Sequence, residues 1–453
     1  MSVVFTKRGP GLNVLLLCDY QPRIAATVRD HIEALERSSR HRYFRLAMLG
    51  DIPGSVNLDR FDVVIIHYTL VACHERYLTM QARKRLREYT GLKAIFIQDE
   101  YRHVNESIAA MRDIGVHILF TCVPESEIEK VYSWTSLPGV RKVNVLTGYV
   151  PKRLIERDFP LPSRRQPIVG YRGRKVPAWL GDLGQEKYWI GIRFRRDAEK
   201  YKNIRCDISF REEDRLYGDA WLDFLLRCRA VLGVESGASV FDFTGELQRK
   251  VDADLRENPA LDYETLKQRY FANLEGRILL AQVSPRCFES AALRTIMVLY
   301  PGDYSGRLKP WRHYIPLEKD HSNMDEVVEA ICDGDLCDEM AECAYREVAL
   351  AEQNAYEGFV KLVDDAMEKA FRPEMAAPAE AYSELQFRRD VALDFMTLKR
   401  RAWRSLLTYI HFVTFRVMLG WANPETRDWV HARLKWIYYT VTFYKWRTRH
   451  RNA

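Results

Sequence analysis

Asn13-Val-Leu-Leu-Leu-Cys-Asp-Tyr20 is an apolar run that ends in polar residues, near the start of a 453-residue chain. A stretch with helical spacing of apolar residues follows it at 24–35. A buried strand that leads directly into a helix is the opening of a parallel α/β unit. The sequence therefore predicts a sheet of parallel strands covered by helices.

The same alternation continues to about residue 150. Helical or loop stretches separate further apolar runs, at residues 62–67, 93–98, 118–122 and 143–146. Polar or small residues follow the runs: Asp19, His67, Tyr68, Gln98, Asp99, Glu100 and Gly148. The carboxyl ends of parallel strands meet at one edge of a sheet, where such sheets bind ligands. We therefore expect these residues to lie at a binding edge.

A second alternating series follows a linker at 151–167 that is rich in Pro and Arg. Apolar runs recur at residues 168–171, 204–208, 230–234, 278–283 and 295–300. A helical stretch at 338–371 closes the series. We predict an α/β fold of two Rossmann-like, doubly wound domains, at 1–160 and 161–371, with a C-terminal helical extension.

Charge is distributed unevenly along the chain. The whole chain has a formal net charge of +7, but residues 381–453 hold 14 basic and five acidic residues, which leaves −2 for residues 1–380. The main body is therefore not expected to bind nucleic acid. The tail also holds 15 aromatic residues and has helical patterns at 403–420 and 429–446. We expect the tail to contact an anionic membrane surface. The alternative is that the tail forms a helical hairpin that packs on the main body of the chain or on a second copy of it.

The nine cysteines indicate a reducing compartment, because their number is odd and their spacing is not that of a disulfide framework. Cys332, Cys337 and Cys343 lack a His partner, so we expect no metal there. No uncharged segment reaches the roughly 18 residues of a membrane span. The apolar run at 14–18 is too short for a signal-peptide core. We expect a cytoplasmic protein with peripheral contact to the inner face of the cell membrane.

Residues 284–292, Ser-Pro-Arg-Cys-Phe-Glu-Ser-Ala-Ala, precede the apolar run at 296–300. This segment resembles the Phe-Glu-Ala segment in the donor-binding half of family 1 and family 4-like glycosyltransferases, which have the GT-B fold. Residues 314–323 are similar to the region that follows it in bacterial cell-surface members. The resemblance covers residues 12–370 and implies a nucleotide-sugar donor bound by the second half.

A nucleotide-sugar carries two negative charges at the bond that breaks, so its site needs fixed cations and the backbone N–H groups of a helix start. The second half offers these at the end of its first strand, in the loop at 235–239, and where a helix begins near residue 288. The predicted donor-binding residues are Arg172, Gly173, Arg174, Lys175, Ser236, Gly237, Arg286 and Phe288.

Glu289 resembles the first of two glutamates, eight positions apart, that many retaining members of this fold place around the donor sugar and ribose. The second position is Met297 here, and Arg294 stands where glycine is usual. These departures leave the ribose contact unassigned and leave open whether the sugar is transferred with retention or inversion. A helix-start charge that complements the dipole is the alternative role for Glu289.

A general base is needed in the first half if the acceptor hydroxyl attacks with inversion. The candidates at strand ends are Asp99, Glu100 and His67. Acidic residues are also common as helix N-caps, which is the structural alternative. With retention, the leaving phosphate can take the proton instead.

Together these features predict a metal-independent hexosyltransferase that uses a nucleotide-sugar donor and no cofactor. Its expected acceptor is a glycan or a lipid-linked molecule in cell-surface polysaccharide biosynthesis, and association into a homo-oligomer is compatible with the sequence. The alternatives are a sugar-nucleotide epimerase of the same architecture and a non-catalytic GT-B scaffold that binds a glycan or a partner.

Overall fold

The computed structural model describes residues 11–21, 24–377, 382–393 and 406. The first half is built on a six-stranded parallel sheet of order β2-β1-β3-β4-β5-β6. Its strands are β1 (Asn13–Cys18), β2 (Arg42–Ala47), β3 (Val63–Ile66), β4 (Leu92–Ile97), β5 (Ile118–Thr121) and β6 (Arg141–Asn144). Its helices are α1 (Ala26–Ser38), α2 (Met80–Glu88), α3 (Val104–Ile114), α4 (Ile128–Val131) and α5 (Lys152–Ile155).

The second half is built on a five-stranded parallel sheet of order β13-β12-β9-β7-β8. Its strands are β7 (Ile168–Arg172), β8 (Arg205–Ser209), β9 (Ala230–Gly233), β12 (Ile296–Leu299) and β13 (Ile315–Pro316), while β10 (Ser236–Ala238) and β11 (Leu280–Gln282) pair separately. Its helices are α6 (Gly181–Asp197), α7 (Asp219–Arg227), α8 (Glu246–Glu257), α9 (Tyr263–Leu266), α10 (Pro285–Ala292), α11 (Met324–Cys332) and α12 (Gly334–Ala344).

These two doubly wound sheets confirm the predicted fold class. The apolar runs form the strands because their side chains are covered on both faces; all six residues of β1 are buried, as are all four of β3, β9 and β12. Each fully buried Val, Leu or Ile side chain contributes about 1.5–3 kcal/mol to folding. The alternation of strand and helix then places the polar strand-end residues at the carboxyl edges.

Two strands differ from the sequence prediction. β2 was not predicted, because it is an edge strand whose burial alternates along its length rather than running continuously. The apolar run at 278–283 does not join the second sheet, because β11 pairs antiparallel with β10. Gly237 permits this pairing: its φ is +142° and a Cβ there would lie 1.6 Å from the Leu280 carbonyl oxygen.

The predicted helix at 338–371 is broken into two. α12 ends at Ala344 and continues into a π-helical stretch at Tyr345–Ala349, and α13 (Tyr356–Ala370) begins after a turn in which the Val150 N–H donates to the Asn354 carbonyl at 2.8 Å. α13 packs on the first half, where the Phe359 ring lies 4.5 Å from that of His31. The break therefore returns the chain from the second half to the first.

Residues 101–105 join the first half to the helical insertion at 242–277. The Asp242 N–H donates to the Tyr101 carbonyl at 2.7 Å, and the Asn105 N–H donates to the Phe243 carbonyl at 3.0 Å. Val251 and Phe271 of the insertion share a small core with Trp179, Leu180 and Val240.

The chain divides into two compact units, residues 1–52 with 58–381 and residues 53–57 with 382–453. Both sheets belong to the first unit. In the second, α14 (Glu384–Leu393) is a short helix in which Arg388 pairs with Glu384. Apart from residue 406, the helices predicted at 403–420 and 429–446 lie outside the described residues. None of the helices in the described ranges combines the length and the apolar character needed to cross a membrane.

Candidate active site

A cavity of about 430 Å³ lies at the carboxyl ends of β7, β9 and β12, beside the start of α10. Residues of the second half form most of its wall. The first half contributes Ala25, Ala26 and Thr27 at the start of α1. The cavity therefore opens where the two halves face each other, at the edge where doubly wound sheets bind ligands.

Six of the residues predicted from the sequence to be functional line this cavity: Arg172, Gly173, Arg174, Ser236, Arg286 and Glu289. Strands β7 and β9 and helix α10 bring them together from distant parts of the chain. Gly173 is required by packing, because a Cβ there would lie 2.6 Å from the Tyr171 ring and 2.8 Å from the Phe210 ring.

Arg172 is held by protein groups rather than directed at a ligand. Its guanidinium pairs with Asp207 at 2.7 Å and donates to the backbone carbonyls of Tyr171, Asp207 and Asp214. It also lies over the Phe224 ring, 4.2 Å from the centroid. Arg172 therefore ties β7 to β8 at the cavity wall, whereas Arg174 is exposed.

Arg286 and Lys187 bring positive charge into the cavity. The Arg286 guanidinium lies 5.1 Å from the centre of the Tyr171 ring and 5.0 Å from that of Trp221, and it donates to the Arg172 carbonyl at 2.9 Å. Lys187 is on α6, and the pKa of its amine is lowered from 10.5 to about 8, chiefly by burial. The charge of Asp99 opposes this shift, and the charges of Arg286 and Arg174 add to it. A desolvated ammonium group next to a guanidinium is a strong site for an anion.

Glu289 faces the cavity from the first turns of α10. The Trp221 indole N–H donates to its carboxylate at 2.8 Å, which fixes the orientation of the side chain. Burial raises the pKa of Glu289, and the hydrogen bond and the charge of Arg286 oppose that rise. Met297 lines the same cavity, so the second glutamate position of the retaining enzymes carries a thioether here.

Three predicted donor-binding residues do not line the cavity. Lys175 is exposed elsewhere, Phe288 is fully buried in the core, and Gly237 serves the pairing of β10 with β11. Lys187, Trp221 and Ser290 line the cavity but were missed. They lie inside helices, where the sequence pattern does not show which turn faces a ligand.

The first-half candidates occupy very different surroundings. His67 is fully buried, its Nε2 lies 3.0 Å from the His31 Nδ1, and burial holds its pKa well below the usual range. Glu100 is buried and accepts hydrogen bonds at 2.6 Å from both the Thr121 hydroxyl and the Cys122 N–H. Burial raises the pKa of Glu100 to about 7.

Asp99 is exposed, with its backbone in the left-handed region at φ 56°. The Tyr101 hydroxyl donates to its carboxylate at 3.0 Å, and its charge acts on Lys187 across the opening between the halves. Of the three first-half candidates, Asp99 is the exposed carboxylate that reaches the cavity electrostatically.

No protein-family profile and no curated protein matches the chain. Solved structures resemble it. One is an alpha-glucosyltransferase in complex with UDP and a 13-mer DNA, with 11% identity over 80% of this chain and 100% of that chain and a TM-score of 0.46. Another is TarM, with 11% identity over 69% of this chain and 56% of that chain and a TM-score of 0.41. A third, from E. coli and bound with UDP-2-fluoro glucose, shows 10% identity over 79% and 99% of the two chains and a TM-score of 0.44.

The chain has the GT-B fold. Two parallel sheets face each other across a cavity at their carboxyl edges, and a final helix returns from the second half to the first. At 10–11% identity and TM-scores of 0.41–0.46, the likeness to the solved structures determines nothing about the substrates of this chain.

Proposed function

We propose that this chain is a glycosyltransferase that moves a sugar from a nucleotide diphosphate-sugar to an acceptor. The observation that carries the proposal is that one cavity combines the cations of Lys187 and Arg286 with the carboxylate of Glu289. The cations stabilise the charge that develops on the leaving diphosphate. The carboxylate lies on the same wall, where the sugar would be attached.

The donor diphosphate lies against Lys187 and Arg286 in this proposal, with the N-terminus of α10 as a further source of positive potential. Ser290 supports a polar ligand, because its hydroxyl is buried at the cavity wall and has no hydrogen-bond partner among the described residues. Tyr217 lines the cavity although 62% of it is exposed. An exposed ring of this kind provides a stacking surface for the base.

Glu289 acts on the donor sugar. Its hydrogen bond from Trp221 fixes one oxygen, and the cavity surrounds the rest of the carboxylate. Met297 offers no charge to the ribose, so that contact comes from other groups. The diphosphate charge is balanced by Arg, Lys and a helix N-terminus, so the proposed transfer needs no metal ion. Mg²⁺ or Mn²⁺ should therefore not raise turnover.

The acceptor enters from the first half. Asp99 is the proposed general base if the sugar is transferred with inversion, because its carboxylate is exposed and close enough to Lys187 to alter the pKa of that amine. The proposed acceptor is a glycan or a lipid-linked molecule of cell-surface polysaccharide synthesis. The basic, aromatic tail supports this, since it would hold the enzyme at the surface where such acceptors lie.

Two measurements test the proposal. Calorimetry of the full chain against UDP-, GDP- and dTDP-sugars selects the donor, and product analysis with that labelled donor and candidate glycans detects transfer. Transfer of label to a glycan supports the proposal. An epimerised nucleotide-sugar would show the epimerase instead, and a bound but unchanged donor would show a scaffold. Donor binding that survives both Lys187→Met and Arg286→Ala would refute the site.

A further inference from the structure

We propose that Cys73, His74, His103 and Glu106 form a zinc site at the carboxyl edge of the first sheet, separate from the donor cavity. One ligand atom from each of Cys73, His74 and Glu106 lies within 4.8 Å of the other two. His103 is not among the three residues whose ligand atoms already meet this distance, but it lies beside them and would be the fourth ligand. None of the four residues lines the donor cavity.

The fold brings the ligands together from two neighbouring connections. Cys73 and His74 lie in a turn after β3, in which the His74 N–H donates to the Val71 carbonyl at 3.0 Å. His103 and Glu106 lie at the start of α3, after β4. Because β3 and β4 are adjacent and parallel, their carboxyl-end connections meet at the same edge.

One separation between ligand atoms in the cluster matches that of a tetrahedral site. The His103 Nδ1 lies 3.3 Å from the Glu106 Oε2, and the His103 and His74 ring centres are 5.4 Å apart. Two ligand atoms that each lie about 2.0–2.1 Å from a tetrahedral zinc are about 3.4 Å apart. The His103–Glu106 separation already matches this value, whereas the ligand atoms of Cys73, His74 and Glu106 lie within 4.8 Å of one another and would have to approach by up to about 1.4 Å.

The backbone conformation and the surroundings of His103 support its role as a zinc ligand. It is the N-cap of α3 with φ 53° and ψ 35°, a left-handed conformation that is uncommon for residues other than glycine. Its Nδ1 is buried and has no hydrogen-bond partner among the described residues. Gly245 leaves room for the ring, since a Cβ there would lie 2.8 Å from the His103 Cε1. A cation bound by both groups would satisfy this nitrogen, which lies 3.3 Å from the Glu106 Oε2 without forming a hydrogen bond to it.

The ligand set selects the metal. One thiolate, two imidazoles and one carboxylate are borderline-soft ligands that favour zinc over Mg²⁺ or Ca²⁺, which prefer oxygen. Four protein ligands close the coordination sphere, as in structural zinc sites. Binding would release the thiol proton of Cys73 to solvent, so the zinc–sulfur bond forms without any oxidation or reduction.

The site would fasten the junction of the two halves. The same segment that carries His103 is hydrogen-bonded to the insertion through Tyr101 with Asp242 and Asn105 with Phe243. Zinc would fix this segment to the turn at Cys73. Its role is structural, so it is compatible with a transfer reaction that needs no metal at the diphosphate.

Zinc titration of the full chain tests the site. The protein is stripped with a chelator, then titrated with Zn²⁺ in competition with a chromogenic chelator, and with Co²⁺ to detect thiolate-to-cobalt absorption. We expect one zinc per chain. Cys73→Ser and His103→Asn should each weaken zinc binding by at least about 100-fold, and Cys73→Ser should abolish the cobalt–thiolate band. Asn at 103 keeps the left-handed backbone accessible.

Cys206→Ser is the matched control, because Cys206 is an exposed cysteine outside the cluster; it should leave zinc binding unchanged. The metal-free variants should melt at the temperature of the metal-free wild type, which shows that they fold. Wild-type protein that binds no zinc more tightly than about 1 μM would overturn the site and leave an ordinary His103–Glu106 ion pair. Equal zinc binding by wild type and Cys73→Ser would overturn it as well.

Discussion

Replacing Lys187 by Arg should remove the pH dependence of donor binding between pH 7 and pH 9. In the free protein, burial and the neighbouring arginines lower the pKa of Lys187 from 10.5 to about 8. An arginine at 187 stays protonated throughout this range. The two side chains therefore differ in charge only as the pH rises through the pKa of the lysine.

The size of the effect follows from the protonated fraction. With a pKa of about 8, the fraction of charged Lys187 falls from about 0.9 at pH 7 to about 0.1 at pH 9. If the diphosphate binds the charged form, donor binding takes up a proton, and affinity is full below the pKa and lost above it. The Kd of the wild type should rise about tenfold over this range, or about 1.4 kcal/mol.

Isothermal titration calorimetry at pH 7, 8 and 9, with the donor selected above, measures this dependence. The diphosphate of a nucleotide-sugar is esterified at both ends and does not titrate near pH 8. Lys187→Met should bind weakly at every pH, and Lys175→Met is the matched control, because Lys175 is an exposed lysine outside the cavity. A wild-type Kd that does not change with pH, or an equal rise in Lys187→Arg, would refute the assignment of Lys187 to the diphosphate.

Three further predictions concern the catalytic carboxylate, the two arginines after β7 and the tail. Glu289→Gln should reduce turnover at saturating donor by at least about 100-fold while the fold is kept. Glu326→Gln is the control, because it removes a charge from the first turn of a helix outside the cavity, and it should leave turnover unchanged. Full turnover in Glu289→Gln would show that Glu289 only complements the helix dipole. Arg174→Ala should weaken donor binding about two- to fivefold at unchanged melting temperature. Arg172→Ala should instead lower the stability of the protein by about 1–3 kcal/mol, because it leaves backbone carbonyls unpaired. Equal melting temperatures of the two variants would contradict this. The full chain should co-sediment with anionic liposomes, and added salt should reduce this binding, whereas a chain that ends at residue 380 should not co-sediment. If the full chain stays in the supernatant, the alternative that the tail packs as a helical hairpin is favoured.

The candidate site was only partly predictable, and Glu100 and Lys187 show why. Glu100 follows a strand, as a catalytic carboxylate would, but its side chain turns inward to Thr121 and Cys122. Lys187 belongs to a helix with no local motif, yet it faces the cavity. Tertiary packing decides whether the side chain of a strand-end residue turns into the core or toward the cavity. The pattern of residues along the chain carries no information about that packing.

The sequence by itself determined the two parallel sheets and the carboxyl edges where the candidate site lies, because continuous apolar runs and the polar residues after them are local properties of the chain. It also predicted a helix start near residue 288, three residues after the point where α10 begins at Pro285, and so placed Arg286 and Glu289 close together. Only the tertiary structure decided that Arg172 is held by Asp207, that His67 is buried against His31, and that the turn at 71–74 meets the start of α3. Those outcomes depend on contacts between residues far apart in sequence, which form only when the sheets and helices have packed.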